Sequence, residues 1–132
     1  MRDKYTVGQV VWRDLTVKNA NEISEFYASV IGLKKEAVSM GQYDDFNLCC
    51  PNSGEPLAGV CHAEGDNADM PPQWMLYVCV ENVEQSVQTV EQLGGKVLKG
   101  PTQFSGDTYY VIEDPAGAVM TLFSADEIAD ET

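Results

Sequence analysis

The chain is poor in basic residues and in histidine, which limits the partners and sites it can offer. Its 132 residues include eight lysines and arginines against 21 acidic residues, a net charge of −13, and one histidine, His62. Nucleic acids and anionic membrane surfaces are bound through a positive footprint, which this composition does not supply. We therefore expect neither of them as a partner.

Paired cysteine motifs and long apolar runs are also missing. No CxxC pair occurs, and Cys49 and Cys50 are adjacent, so that on a strand they would point to opposite faces. No apolar run approaches the ~20 residues of a membrane span, and the first residues lack the apolar core of a signal peptide. Free thiols in a reducing compartment are the simplest account, which predicts a cytoplasmic protein.

What the chain does contain is a repeat. Residues 17–19 (VKN) recur as residues 80–82 (VEN), and Gly32 recurs as Gly95, in each case 63 residues later. Each half starts with an extended run (10–17 and 74–80), followed by an acidic segment with helical spacing (20–32 and 83–95). Asn19 and Asn82 stand where N-caps are expected. The order of elements is thus the same in both halves, which indicates two similar modules.

Shorter strand-like runs complete each half. They cover residues 36–39, 43–50 and 57–63 in the first half, and residues 96–99, 108–113 and 118–123 in the second. The pattern is therefore β-α-β-β-β, repeated once. It predicts a single α+β domain with module one at about 7–64, module two at about 73–124, and an acidic tail at 125–132.

The doubled pattern resembles the vicinal oxygen chelate superfamily, which includes glyoxalase I, bleomycin-resistance proteins and extradiol dioxygenases. The stretches that carry it are VWRDLTVKNANEISEFYASVIGL, the lead-in PPQW (71–74) and the turn DPAGA (114–118), typical of a glyoxalase-like subgroup of unassigned function. The resemblance covers about residues 7–124. It implies two tandem βαβββ modules that form a cupped, mostly antiparallel sheet with the helices on the convex side. Because this fold hosts several chemistries and simple binding, it indicates the fold more strongly than the function.

In that superfamily the ligand lies inside the cup, and strand alternation predicts which side chains line it. The predicted ligand-binding residues are Trp12, Tyr43, Asp45, Asn47, Cys61, Met75, Tyr77, Tyr109, Thr121 and Phe123. Core filling would explain any one of these aromatic side chains, but the set as a whole favours a cavity. An apolar pocket with a few polar groups is typical of a small-molecule site.

Metal-dependent members of the superfamily carry a ligand on the first and on the last strand of each module. Carried over to this chain, the first-strand positions are Trp12 and Met75, and the last-strand position of module two is Thr121. The fourth position falls at Cys61 or His62, between which the sequence does not decide. Tryptophan cannot ligate a metal, and methionine and threonine are poor ligands for Zn²⁺, Ni²⁺, Mn²⁺ or Fe²⁺. We therefore predict no metal site and expect no cofactor, with a divalent metal left open.

Three functions remain in view. The first is a metal-independent protein that binds a small molecule, cationic or neutral rather than polyanionic given the net charge. The second is a divergent lyase or isomerase that uses His62 with Asp14 or Asp45 as acid–base groups, since imidazole titrates near neutral pH. Such an enzyme could also have a rearranged metal site. The third is a dimer scaffold. Members of the superfamily often dimerise, which implies a homodimer.

Overall fold

The computed structural model describes residues 5–126, and in this range the elements follow the predicted order. Module one contains β1 (Val10–Val17), α1 (Ala20–Ile31), β2 (Lys34–Ser39), β3 (Asp44–Cys49) and β4 (Pro56–His62). Module two contains β5 (Trp74–Cys79), α2 (Val83–Gln92), β6 (Lys96–Phe104), β7 (Asp107–Glu113) and β8 (Val119–Ala125). The α+β fold with two tandem βαβββ modules is confirmed.

The chain divides into two compact units, and the first spans residues 12–75. Its strands follow the order β2-β3-β4-β1, with β1 parallel to β4 and the other neighbours antiparallel. Helix α1 packs on β3 and β4. The buried core between them contains Ala20, Phe46, Leu48 and Val60. Burial of this apolar surface is the main force that holds α1 on the sheet.

The second unit contains residues up to 11 and from 76 onward, and it repeats the same plan. Its strands follow the order β5-β8-β7-β6, with β5 parallel to β8 and the other neighbours antiparallel. Helix α2 covers one face of these strands. The core beneath α2 contains Val83, Tyr110, Ile112 and Leu122.

The two helices begin in different ways. The side chain of Asn82 accepts a hydrogen bond from the backbone N–H of Gln85 at 3.1 Å, as expected of an N-cap. Asn19 is also the N-cap residue of its helix, as predicted, but its side chain makes no capping bond and donates instead to Glu22 at 3.2 Å. Neither helix is long and apolar enough to cross a membrane.

Some strand ends differ from the predicted ones. β2 begins at Lys34, two residues before the predicted start, and β6 continues past the predicted end at residue 99 through Gly100 and Pro101 to Phe104. Proline is tolerated on an edge strand, and β6 is the edge of its sheet. β8 includes Ala125, so the predicted tail began too early, and its residues 127–132 lie outside the described part of the chain.

Candidate functional site

The strand register of module one separates two faces of its sheet. Leu15, Val60 and Phe46 lie side by side on β1, β4 and β3, and Phe46 and Val60 belong to the core under α1. Because successive side chains alternate, the residues between them face away from α1. We call this second surface the first-module face. It carries Trp12, Asp14, Thr16, Lys34, Glu36, Asp45, Asn47, Gly59 and Cys61.

Cys61 lies between two carboxylates on the first-module face. Burial, then the charges of Asp14 and Asp45, and then a hydrogen bond with Asp45 raise the pKa of its thiol to about 12. At neutral pH Cys61 is therefore a thiol rather than a thiolate. Such a cysteine is a poor nucleophile, but its S–H can donate a hydrogen bond.

His62 lies on the opposite side of β4 from Cys61. Its register partner is Val17, and it shares the strand parity of Val60, so it does not belong to the first-module face. Its backbone N–H donates to Oδ1 of Asp45 at 2.9 Å. The Nδ1 atom of the ring lies 3.5 Å from the same oxygen and, within the described residues, is buried without a hydrogen-bond partner.

Tyr43, in the turn before β3, contacts His62, and Asn47 on β3 contacts a different residue. The Tyr43 ring meets the His62 imidazole edge to face at a centroid distance of 5.2 Å. Burial, followed by the charge of Asp45, raises the pKa of the Tyr43 phenol, so it stays neutral. Asn47 donates to Glu36 at 3.4 Å. Glu36 was missed in the sequence, where nothing in its alternating strand indicates a role beyond solvation.

Trp12 takes up the space above Gly59. A methyl group added to Gly59 would lie 3.4 Å from Cζ2 and 3.6 Å from Nε1 of Trp12, and 3.3 Å from Cβ of Asp14. The Nε1–Cζ2 edge of the indole thus rests against the glycine. Trp12 is itself only half-buried, so part of its ring stays accessible. A glycine inside a strand often marks such a close approach, and this signal was present in the sequence.

Module two brings its predicted residues together as an aromatic cluster. The Tyr109 and Phe123 rings stack at 5.2 Å with an angle of 22° between their planes, and Tyr77 meets Tyr109 edge to face at 6.1 Å. Tyr5, which the sequence did not point to, meets Phe123 edge to face at 5.8 Å. Burial, followed by the charge of Asp107, raises the pKa of Tyr109 to about 12, so its phenol stays protonated.

Thr121 lies beside this cluster, paired with Tyr77 on β5 and Val111 on β7. It is 1% exposed, and among the described residues its hydroxyl has no hydrogen-bond partner. A buried hydroxyl without a partner costs about 1–3 kcal/mol. Such a hydroxyl either destabilises the folded protein or forms its hydrogen bond with a molecule that binds there.

The register also identifies the module-one counterpart of Thr121. Thr121 pairs with Tyr77, which lies 63 residues after Asp14, and Asp14 pairs with Gly59. The equivalent residue is therefore Gly59, and the expectation that Cys61 or His62 takes this position was wrong. The connection from β3 to β4, residues 50–55, is one residue longer than that from β7 to β8, residues 114–118, so the offset of 63 residues does not hold here.

The residues at the four positions do not fit the metal of the metal-dependent members. They are Trp12, Gly59, Met75 and Thr121, of which glycine has no side chain and Met75 is only 2% exposed. Zinc, nickel, iron and manganese favour imidazole and carboxylate ligands. Among the described residues, no three histidine, cysteine, aspartate or glutamate side chains are grouped so that they could hold a metal ion.

One apolar groove lies on the helix side of module one and was not predicted. It has a volume of about 300 Å³ and runs between β1, α1 and the segment before β5. Trp74 lines it and meets Tyr27 of α1 edge to face at 5.1 Å. Since Trp74 and Trp12 lie on different faces, the two tryptophans report on separate surfaces.

Comparison with known sequences identifies a family and two relatives. Residues 6–122 match the Glyoxalase/Bleomycin resistance protein/Dioxygenase superfamily. The “Putative glyoxylase CFP32” of Mycobacterium bovis and that of Mycobacterium tuberculosis are each 28% identical over 127 residues. The alignment covers 94% of this chain and 48% of each relative. The chain thus spans about half the length of the curated relatives it matches.

Solved structures share the fold. An NAD-dependent benzaldehyde dehydrogenase structure from Legionella pneumophila is similar with a TM-score of 0.57 at 17% identity, over 87% of this chain and 98% of that one. Methylmalonyl-CoA epimerase from Mycobacterium tuberculosis is similar with a TM-score of 0.56 at 12% identity, over 96% of this chain and 94% of that one. At these identities the likeness concerns the fold alone.

Proposed function

Because the chain belongs to the Glyoxalase/Bleomycin resistance protein/Dioxygenase superfamily, we propose that it binds a small organic molecule without a metal ion. One observation carries this proposal: Trp12, Gly59, Met75 and Thr121 stand at the positions that hold ligands in metal-dependent members. None of the four offers an imidazole or a carboxylate. A divalent ion would have to find other ligands.

Aromatic side chains next to these positions support binding of an organic ligand. In module one the Trp12 indole lies beside Asp14, and in module two Tyr109, Phe123 and Tyr77 form a contiguous cluster. Flat rings with isolated polar groups nearby suit small organic molecules, because rings supply contact area and the polar groups set orientation.

Metal content and ligand binding can be measured on the same untagged protein. Mass spectrometry after purification, followed by titration with Zn²⁺, Ni²⁺, Mn²⁺ and Fe²⁺, should give less than one equivalent of bound metal. A thermal-shift screen of small organic molecules should then find stabilising compounds, and EDTA should leave their effect unchanged. Stoichiometric metal that is lost in His62→Ala would overturn the proposal, and the His62→Gln variant checks that the loss does not come from unfolding.

A second candidate is acid–base catalysis by His62. The observation that favours it is the buried Nδ1 atom, 3.5 Å from Oδ1 of Asp45. Asp45 could orient the ring and leave the other nitrogen to move a proton. Asp14 lies beside Cys61 instead, which favours Asp45 over Asp14 as the partner.

Proton exchange provides the test of this candidate. Incubation of small oxo compounds in deuterium oxide should give C–H exchange with the wild type and none with His62→Ala. Equal exchange by both proteins would reject His62 as the acid–base group. Asp45→Asn should slow the exchange and change its pH profile, which a purely structural role of Asp45 would not do.

Assembly and compartment also remain proposals. Two copies of this chain would match the length of the curated relatives, which is consistent with a homodimer. Light scattering during size-exclusion chromatography would give twice the 14.5 kDa mass of the chain. None of the four cysteines forms a disulfide in the described part of the chain, which includes all of them, and this agrees with a reducing cytoplasm.

A further inference from the structure

In metal-dependent members, the positions of Trp12 and Gly59 hold two metal ligands. On the first-module face they hold one indole ring and the glycine against which it rests. The Trp12 indole fills the space above Gly59, so these two ligand positions are occupied by one ring and its glycine support. Gly59 has no positive φ angle, so backbone strain does not explain the glycine. Space for the indole does explain it, because a methyl group at residue 59 would lie tightly against Cβ of Asp14 at 3.3 Å and in contact with Trp12 at 3.4 Å, and any larger side chain would reach the ring.

The charges around the Trp12 indole are mostly negative. The register places Asp14, Asp45 and Glu36 on the first-module face, against Lys34 on the edge strand β2. The carboxylates of Asp14 and Asp45 act at short range, since they raise the pKa of the Cys61 thiol between them.

The other basic side chains of these strands serve the opposite side of the sheet. Arg13 has the strand parity of Leu15 and donates to the carbonyl oxygen of Leu57 at 2.9 Å. Lys35 is bound to Glu25 of α1 at 3.3 Å and lies over the Phe46 ring at 4.1 Å. An anionic ligand on the first-module face would therefore meet more carboxylates than cations.

We infer that the indole of Trp12, supported by Gly59 and flanked by Asp14 and Asp45, binds a planar organic cation in place of a metal ion. This inference rests on the proposed function and names the ligand class of that site. A ring face attracts a cation through its quadrupole, and tryptophan does so most strongly among the aromatic side chains. The nearby carboxylates add charge attraction that a neutral molecule of the same shape would not gain.

Three probes of similar shape separate charge from shape: 1-methylquinolinium as cation, quinoline at pH 8 as neutral molecule, and 2-naphthoate as anion. Calorimetric titration should give the cation a Kd about five- to thirtyfold lower than that of quinoline, with no saturable binding of 2-naphthoate. In a Trp74→Phe background Trp12 is the only tryptophan, and its fluorescence should change with the same Kd.

Variants then locate the binding. Trp12→Ala and Gly59→Val should each weaken cation binding at least tenfold, the latter because its side chain displaces the indole. Gly59→Ala, whose methyl group would lie 3.3 Å from Cβ of Asp14 and in ordinary contact with the indole, provides a folded intermediate if Gly59→Val fails to fold. Asp14→Asn and Asp45→Asn should weaken binding of the cation only, whereas Glu91→Gln on α2 makes the same charge change far along the chain and should have no effect.

Each contrary outcome has a distinct meaning. No saturable binding of 1-methylquinolinium, or unchanged binding in Trp12→Ala, overturns the inference. Equal affinity for quinoline overturns the cationic class but leaves metal-independent binding intact. Stoichiometric Zn²⁺ binding without any binding of the organic probes would overturn the proposed function itself.

Discussion

Replacement of Thr121 by valine should make the protein more stable. The side chain is 1% exposed, and among the described residues its hydroxyl finds no hydrogen-bond partner. Valine has nearly the same shape and replaces the hydroxyl by a methyl group. The change therefore removes an unsatisfied polar group without creating a cavity.

The magnitude follows from the cost of a buried, unpaired hydroxyl. That cost is about 1–3 kcal/mol, and the additional buried methyl group adds to the gain. We expect the free energy of unfolding to rise by at least about 1 kcal/mol. For a chain of this length, each kcal/mol corresponds to a rise of about 3–5 °C in Tm.

Urea unfolding followed by circular dichroism measures this change directly, provided that the slope m is the same in both proteins. Thr108→Val is the matched control, because Thr108 is 7% exposed and its hydroxyl donates to Asp126. The control should lose about 1–3 kcal/mol, since it removes a hydrogen bond to a charged group. If Thr121→Val were as destabilising as the control, the Thr121 hydroxyl would have a partner and the reasoning would be refuted.

Three further predictions follow from the caps and the thiols. Asn82→Ala should lower the free energy of unfolding by about 1 kcal/mol in urea titrations, and Asn19→Ala by clearly less, because only the Asn82 side chain makes a capping hydrogen bond; equal losses would contradict this. Stability should fall as the pH rises from ~8.5 to about 12, because the unfolded state loses the Cys61 proton first while the folded state keeps it; the fall should be smaller in Cys61→Ala. Iodoacetamide at pH 7.5, followed by mass spectrometry, should label Cys50 well before Cys61, since hydrogen bonds from Ser53 lower the pKa of the Cys50 thiol; faster labelling of Cys61 would show that its thiol is not suppressed.

Strand alternation was enough to predict which side chains face the helices. Phe46 and Leu48 lie in the core under α1, and Tyr110 and Ile112 lie in the core under α2, as period-two patterning requires. This worked because each sheet buries one face, and a slip of one residue would expose the whole apolar set. The helix caps were less predictable, since the Asn19 side chain could bond either to the backbone or to Glu22.

The sequence did not predict which residues lie opposite each other on neighbouring strands. The pairing of β3 with β4 is irregular between Leu48 and Cys49, and the connection after β3 is longer than the one after β7. The sequence therefore left Cys61 and His62 as alternatives, while the register shows Gly59 at the position in question. Long-range pairs such as Asn47 with Glu36 also depend on register and side-chain length together.

In module one, neither of the two ligand positions carries a metal-binding side chain. The contact between Trp12 and Gly59 links these two replacements, because each residue depends on the other. A Cβ atom at residue 59 would lie 3.4 Å from Cζ2 of the indole, in van der Waals contact, so the atoms beyond Cβ in a larger side chain would meet the ring. A carboxylate or imidazole at residue 59 would therefore have to displace Trp12, at the cost of strain in a close-packed surface. A small aliphatic residue at 12, such as alanine, with glycine kept at 59, would leave neither a ligand nor a ring above the strand. Tryptophan at 12 and glycine at 59 are thus compatible with each other and incompatible with the metal-binding pair, so the module supports aromatic recognition of a ligand only while both residues are kept.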